Sequence, residues 1–541
     1  MIQSLKEKLY PSYKTVKSLV FFPVEMYRYH KQQSMNEVRK KFADSFTIFK
    51  VETKKTNQFV LVQKVSDYEN TIKLAAAGKA IAEKYACPIK VYEADWTSYI
   101  GWKYRYRKLY HLFNKSYSAK LHDKFSDGIV FSTEDRYFDQ KWIKKQFEDI
   151  KMRLTTPESL MELKFENIHV GDLLYDTYLR YFHQPTIENI NAQILLIVEI
   201  GLNIFYNFLH FLKNNQIKAL VNTYSSYIEH GLTARICLSQ NTPVYTIGSY
   251  SYILQKLSID FPYHQINHTE FSPDKKLEEQ QLNEAKSIFV RRFEGKIDPA
   301  TRYMKSSAFG NRALDPTVEK LFKIRKRNLV IYIHDFYDSP HVNRKLIFLD
   351  LYQYLKQTLL ALTKLEDTSV FVKIHPNGMP GCKEKAIELV ESFHLEHFHV
   401  LPDGVSNNHI IDLKPDLIAT ARGTVCLEMA YFGIPTVALF DNLYANFPFT
   451  HTCYDKESYF AILKGEQKPE NIFNLEHVFS FYYQAFLEKT AKENNEIFDI
   501  LAAKKGASSD DSYLSYLFTT SYLEKRQILI EHYKNVLETI E

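Results

Sequence analysis

The chain has 541 residues, 45% of them hydrophobic and 25% charged, and a net charge of only +5. That length exceeds what one core serves and favours two domains or more, while the near balance of charge argues against a nucleic-acid binder, which carries a dense basic face. Five cysteines, Cys87, Cys237, Cys382, Cys426 and Cys453, are scattered, odd in number and without CxxC spacing, which points to a reducing compartment and to neither a disulfide frame nor a zinc site.

In chain order, the opening MIQSLKEKLYPSYKTVKSLVFF carries a charged start but only a short, interrupted apolar run. A secretory signal is therefore not expected, and the chain reads as cytoplasmic. Strands are predicted at 16–22, 46–51, 59–65 and 88–95, the last ending in Glu93 and Asp95. The following WTSYIGWKYRYRKLYHLF (96–113) reads either as a surface for a membrane or lipid-linked molecule, or as a helix that packs its rings inward and snorkels its charges. A strand at 167–170 leads to Gly171-Asp172, which opens a helix carrying Tyr175, Asp176 and Arg180. Such a start suits a carboxylate or phosphate. The run 194–212 is long enough to span a membrane, yet Glu199, Asn203 and Asn207 recur every four residues. It is expected to be a buried helix whose polar stripe faces a cleft or a partner helix.

A strand at 217–222 then leads through Thr223-Tyr224-Ser225 into a helix with Tyr227, Glu229, His230 and Arg235, and the next strand, 243–247, ends at Gly248-Ser249. Residues 274–296 are charge-rich and helical, and 296–315 has the Pro, Gly, Ser and Arg content of a linker. Beyond it, a strand at 328–333 delivers His334-Asp335, with Asp338 and His341 in the loop, and a strand at 368–374 delivers Lys373 and His375-Pro376. The stretch DLIATARGTVCLEMAYFGIPTVALF (416–440) reads as strand 417–420, turn 421–424, helix 425–432 and strand 436–440, ending at Asp441-Asn442. In it Gly423 permits close backbone approach and Thr424 suits an N-cap, a natural seat for a phosphate. Glu428, one turn deeper, can accept hydrogen bonds from sugar hydroxyls. Four successive apolar strands thus end in polar residues, at the edge where open parallel sheets bind ligands.

The pieces YIHDFYDSPH (332–341), VKIHPNG (372–378) and IATARGTVCLEMAYFGIPTVALF (418–440), in that order and spacing, resemble the carboxyl-terminal half of bacterial capsule polysaccharide biosynthesis proteins, a Kdo-transferase-like group of GT-B glycosyltransferases. NIHVGDLLYDTYLR (167–180) and NTYSSYIEHGLTARI (222–236) resemble acceptor-side motifs of that family. Many of its members have Ser-Ser or Gly-Ser at the phosphate turn, where this chain has Arg422-Gly423-Thr424. The resemblance implies an α/β fold of two Rossmann-like domains facing across a cleft (GT-B). It further implies a transferase that moves Kdo or another acidic sugar from a nucleotide-activated donor, CMP-linked as first guess, to a capsular or surface polysaccharide or a lipid-linked glycan. No cofactor and no metal are expected, although Asp335 and Asp338 leave the metal question open. Peripheral contact with the inner membrane or with a capsule assembly complex is also implied. A nucleotide-sugar epimerase of the same fold and a non-catalytic polysaccharide-binding protein are the alternatives.

On that frame the expected organisation is a first domain at 1–305, a linker at 306–320, a second domain at 321–505 and a helix at 506–541 that packs back on the first. The donor-side set is His334, Asp335, Lys373, His375, Pro376, Arg422, Gly423, Thr424 and Glu428, and the acceptor-side set Gly171, Asp172, Arg180 and Tyr227. The base is sought among Glu229, His230 and Asp176, with the Glu229-His230 pair ranked first because it opens a helix after a strand.

Overall fold

The computed structural model describes residues 42–53, 56–65, 68–96, 117–133, 135, 137–247, 254–265, 267–301, 307–310, 316–342, 346–375, 378–440, 442–488 and 520–540. The expected strand at 16–22, all but Trp96 of the aromatic stretch 96–113, Gly248-Ser249, Pro376 and Asp441 lie outside the described residues.

The first sheet begins with β1 (Gln58–Gln63), β2 (Ile89–Glu93) and β3 (Ile129–Ser132). A two-strand hairpin of β4 (Lys164–Phe165) and β5 (Ile168–His169) stands apart from it. The sheet is completed by β6 (Gln216–Asn222), β7 (Val244–Thr246) and β8 (Gln255–Leu257), in the order β3-β2-β1-β6-β7-β8, with only β8 antiparallel. The second sheet holds β9 (Arg327–Tyr332), β10 (Thr368–Lys373), β11 (Phe398–Val400), β12 (Leu417–Thr420), β13 (Thr436–Leu439) and β14 (His451–Cys453), all parallel, in the order β11-β10-β9-β12-β13-β14. Each sheet follows the doubly wound Rossmann order, third-second-first-fourth-fifth-sixth, and the order reverses between β1 and β6 and between β9 and β12. Parallel strands covered by helices on both faces need near-continuous apolar runs. Val370, Phe371 and Val372 in β10, each fully buried, supply one. The molecule is therefore α/β, with two Rossmann-like domains facing across a cleft, the GT-B arrangement.

Two expected strands take other forms. At 46–51 the chain forms a 3-10 helix, Ser45–Phe49, which buries Phe46 and Phe49. Their spacing of three residues stacks them on one side of a three-residue turn, so the apolar pair is satisfied without a sheet. At 167–170 only Ile168–His169 is extended, in the small hairpin. The helix Ala192–Lys213 is apolar and long enough to cross a membrane, but most of it is buried inside the first domain. Two residues of its stripe are hydrogen-bonded within the protein. Asn203 donates to the Glu199 carbonyl at 2.9 Å, Asn207 donates to the Asn203 carbonyl at 2.7 Å, and Asn207 Oδ1 accepts the Phe138 N–H at 2.9 Å.

From the stretch of chain that follows β8 and precedes β9, Phe271, Ala285, Phe289, Phe293 and Phe309 pack with Cys426, Leu427 and Ala430. The segment that contains the helix Glu279–Val290 thus belongs physically to the second domain's core, upstream of the expected linker at 306–320. The helix Thr520–Ile540 lies on the first domain. Its Leu529, Ile530, Tyr533 and Leu537 join Ile72, Ala76 and Ile81 in one core, and Lys534 Nζ meets Glu83 at 3.0 Å. The domains dock through the helix Gly171–Phe182. Tyr175 donates to Asp350 Oδ2 at 2.6 Å, and His341 Nδ1 lies 2.6 Å from Asp176 Oδ1.

Candidate functional site

At the switch point of the second sheet the ends of β9, β10 and β12 converge on a cavity of about 160 Å³, and His334, Lys373, His375, Arg422, Gly423 and Thr424 all line it. The cavity is basic. Burial lowers Lys373 to about 8, and its ammonium donates to the Val405 carbonyl. Burial, then the charges of Arg422 and His375, lower His334 to about 3, so its ring is neutral, with Nε2 at 3.4 Å from Thr420 Oγ1. Burial likewise lowers His375. Arg422 is anchored by a 3.0 Å bond to the Pro340 carbonyl. Asp335 does not face outward. Its two oxygens accept the amides of Tyr337, at 2.8 Å, and Met379, which pins the loop that carries His375. A Cβ at Gly423 would stand 2.9 Å from Thr420 Oγ1, so only glycine closes the turn this tightly.

Thr424 and Glu428 differ in detail from the expectation. Thr424 sits at the N-cap of the short helix Val425–Tyr431 in helical geometry and makes no side-chain cap bond. Glu428 is 4% exposed and takes a 2.7 Å ion pair from Arg292 and a 3.0 Å bond from Asn407 Nδ2, so its oxygens are engaged within the protein. Burial raises its carboxyl above the ordinary range, and Arg292 offsets part of that. The Arg292 guanidinium is in turn gripped by Asp298 at 2.6 and 3.0 Å.

On the first domain, β6 runs into a π-helical turn, Tyr227–Gly231, at the switch point between β1 and β6. Gly231 is essential there: an added Cβ would fall 2.4 Å from Leu173 and 2.6 Å from the Ser225 carbonyl. Tyr227 enters the turn at φ +59, a left-handed conformation that costs a non-glycine residue strain of the order of 1 kcal/mol. The turn holds Glu229 in a pocket where Trp96 Nε1 donates to Oε2 at 2.7 Å and the Tyr181 hydroxyl donates to Oε1. Burial raises Glu229 to about 7, and those two hydrogen bonds only partly oppose it.

The tautomer of His230 follows from its neighbours. Thr223 donates its N–H and its hydroxyl to Gln63 Oε1, at 3.3 and 3.2 Å, which orients the Gln63 amide group. Gln63 Nε2 then donates to His230 Nδ1 at 2.7 Å. The proton of the neutral ring is consequently on Nε2, 3.7 Å from Glu229 Oε1. Burial lowers His230 to about 3, so the ring stands neutral beside the Glu229 carboxylate. Asp176 is committed to the joint between the domains. Both its oxygens accept from His341, whose ring burial would keep neutral but which the carboxylate holds above its ordinary value.

The acceptor-side expectations divide. A Cβ on Gly171 would meet the Leu160 and Met161 carbonyls at 2.2 Å, so this glycine permits close packing and leaves no room for a ligand. Asp172 is locked with Arg235 through two bonds of 2.6 Å. Burial pushes its carboxyl up, but Arg235 outweighs that and holds it below the ordinary range. Arg180 and Tyr227, by contrast, stand at the cleft. Tyr227 donates to Asp338 Oδ1 at 3.2 Å and accepts from Ser339 at 2.9 Å, while Arg180 lies 3.6 Å from Asp338 and reaches Met379 Sδ. Adjacent residues on one helix turn, Arg180 and Tyr181, therefore touch the loop after His375 and the Glu229 carboxylate respectively.

Sequence reasoning did not select Trp96, Tyr181, Gln63 or Arg292. The first three carry no charge at neutral pH and so give no titratable signal. Arg292 lies in a charge-rich helical stretch that looks like solvated surface. Among the described residues no group of three or more His, Cys, Asp or Glu is placed to hold a metal ion.

No family model matches the chain, and no curated protein does either. Solved structures with a similar fold include KpsC, a beta Kdo 2,4 transferase of Thermosulfurimonas dismutans, at 11% identity over 49% of this chain and 79% of that one, TM-score 0.29. Another is the UDP-GlcNAc 2-epimerase of Methanocaldococcus jannaschii in complex with UDP-GlcNAc and UDP, at 10% identity over 78% of this chain and 97% of that one, TM-score 0.23. A third is an alpha,alpha-trehalose-phosphate synthase (UDP-forming) of Burkholderia vietnamiensis, at 10% identity over 87% and 100%, TM-score 0.26. At these identities the likeness is one of fold alone.

Proposed function

We propose that the protein is a glycosyltransferase that transfers a sugar from a nucleotide-activated donor to a polysaccharide or lipid-linked glycan, with Glu229 as the base. The observation that carries this reading is the carboxyl of Glu229, raised to about 7, on a turn whose neighbour Tyr227 reaches across the cleft to the loop beside a basic, switch-point cavity. A base with a pKa near the working pH combines availability with driving force for proton transfer. The acceptor hydroxyl gives its proton to Glu229, its oxygen bonds to the anomeric carbon, and the bond from that carbon to the phosphate oxygen breaks. The nucleotide leaves with the electron pair of that bond. Arg422, Lys373 and His375 receive the charge that develops on it. In this scheme no metal takes part, and a CMP-linked acidic sugar is the donor that the basic wall fits. The reaction belongs to capsule or surface polysaccharide assembly on the cytoplasmic side.

Calorimetry with CMP, UDP, GDP, CDP and their sugars tests the reading. One nucleotide is expected to bind, with affinity reduced at least about tenfold in His375→Ala and Arg422→Ala, and to be released in proportion to glycosylated acceptor with EDTA present. Absence of binding by every nucleotide overturns the reading. Interconversion of the donor without any acceptor replaces it with an epimerase.

A further inference from the structure

The helix Gly171–Phe182 has Tyr181 and Glu229 at one end; at the other a second, larger cavity of about 990 Å³ opens between the domains. Its walls come from Glu158, Glu162, Arg235, Asp260 and Tyr263 of the first domain, and from the segment 346–349 and Lys456 of the second. That volume is at the top of the ~300–1,000 Å³ range of ligand sites.

Arg235 is 5% exposed. Its two terminal nitrogens are spent on Asp172, at 2.6 Å each, and on the His169 carbonyl at 2.8 Å, but its Nε is buried with no hydrogen-bond partner. Buried N–H groups are rarely left so in folded proteins, and the crevice that Arg235 lines is where an oxygen acceptor for this one can come from. An anion suits the crevice poorly. Asp172 already neutralises the guanidinium, and Glu158, Glu162 and Asp260 line the walls with one lysine, Lys456, whose ammonium donates to Gln357 Oε1 at 3.0 Å. Hydroxyl groups satisfy both demands, since they donate to carboxylates and accept from Nε–H. Tyr263 also lines the crevice; the Arg235 guanidinium lies over one face of its ring at 5.5 Å, and the rest of the ring is the aromatic surface against which the C–H face of a pyranose would rest.

We propose that this crevice is a second carbohydrate site that takes a neutral oligosaccharide, separate from the donor cavity. Because its walls come from both domains, a bound glycan favours their docked arrangement and so couples to whatever occupies the cleft. The proposal rests on the crevice and not on the transfer reaction, and direct binding keeps the two separable.

Maltotriose, cellotriose and chitotriose serve as probes, added to the full chain and followed by saturation-transfer NMR and calorimetry. At least one is expected to bind, with Kd raised tenfold or more in Tyr263→Ala and unchanged in Glu229→Gln and His375→Ala. Near-UV circular dichroism establishes that Tyr263→Ala is folded; if it is not, Glu162→Gln, at an exposed position, carries the same test with a weakening of about threefold or more. Binding of none of the three, binding that survives both crevice variants, or binding lost in Glu229→Gln overturns the proposal.

Discussion

Glu229 joins two properties that usually exclude each other: it is enclosed, yet it accepts two hydrogen bonds that favour its charged form. Burial wins, and the carboxyl keeps its proton to about pH 7, whereas an unfolded glutamate releases it near 4.5. Folding therefore binds a proton in that window, and this group's contribution to stability is lost as pH rises from 4.5 through 7. The neutral rings of His230, His264 and His334, all lowered to about 3, act in the opposite sense and take stability away as pH falls below 6.5. Comparison of Glu229→Gln with the wild type cancels the histidines and isolates the carboxyl. The variant is expected to lose turnover by about 10²–10⁴-fold. It should also gain stability relative to wild type on going from pH 5 to pH 8, by no more than about 3 kcal/mol. Denaturant unfolding at the two pH values measures this, and an equal difference at both would refute the assignment. Wild-type turnover should rise with pH through about 7.

The helix Gly171–Phe182 is the element on which both domains meet, and Tyr175, Asp176 and Arg180 on it have partners across that joint. Asp176→Ala leaves the His341 ring buried without its counter-charge and is expected to cost about 3 kcal/mol or more. Adding His341→Ala should recover part of the loss, so that the double variant is more stable than the sum of the singles by about 1–3 kcal/mol; strict additivity in that cycle would mean the pair does not couple the domains. The same helix marks the limit of what the sequence makes legible. Strand ends could be read because an apolar run that stops at a polar residue is a local signal, and the residues around the cavity, from His334 to Gly423, follow from it. Partners could not be read. Asp176 answers to a residue 165 positions away, Asp172 to one 63 away and Glu428 to one 136 away. Each looks locally like a carboxylate awaiting a ligand, and only folding brings in the cation that occupies it. Gly171 misleads in a related way, because a missing Cβ signals close approach without saying whether a phosphate or the Leu160 and Met161 carbonyls are approached.

At the scale of the whole molecule, the first domain is discontinuous: its core is completed by the helix Thr520–Ile540, which follows all of the second domain in the chain. A chain stopped after residue 519 uncovers Ile72, Ala76 and Ile81. It is expected to bind a hydrophobic dye and to melt at a lower temperature than the full chain while still binding nucleotide through the second domain. An unchanged melting temperature would show the helix to be dispensable. The arrangement also reverses the usual order of birth. At ~5–20 residues per second, the roughly 250 residues between Phe271 and Thr520 keep a ribosome occupied for about 10–50 s. Throughout that interval the second domain can close around its basic cavity while the domain that carries Glu229 still shows an apolar face. The half with the basic cavity is thus finished before the half with Glu229, and under the proposed transfer reaction a nascent chain becomes competent only when the helix Thr520–Ile540 has emerged.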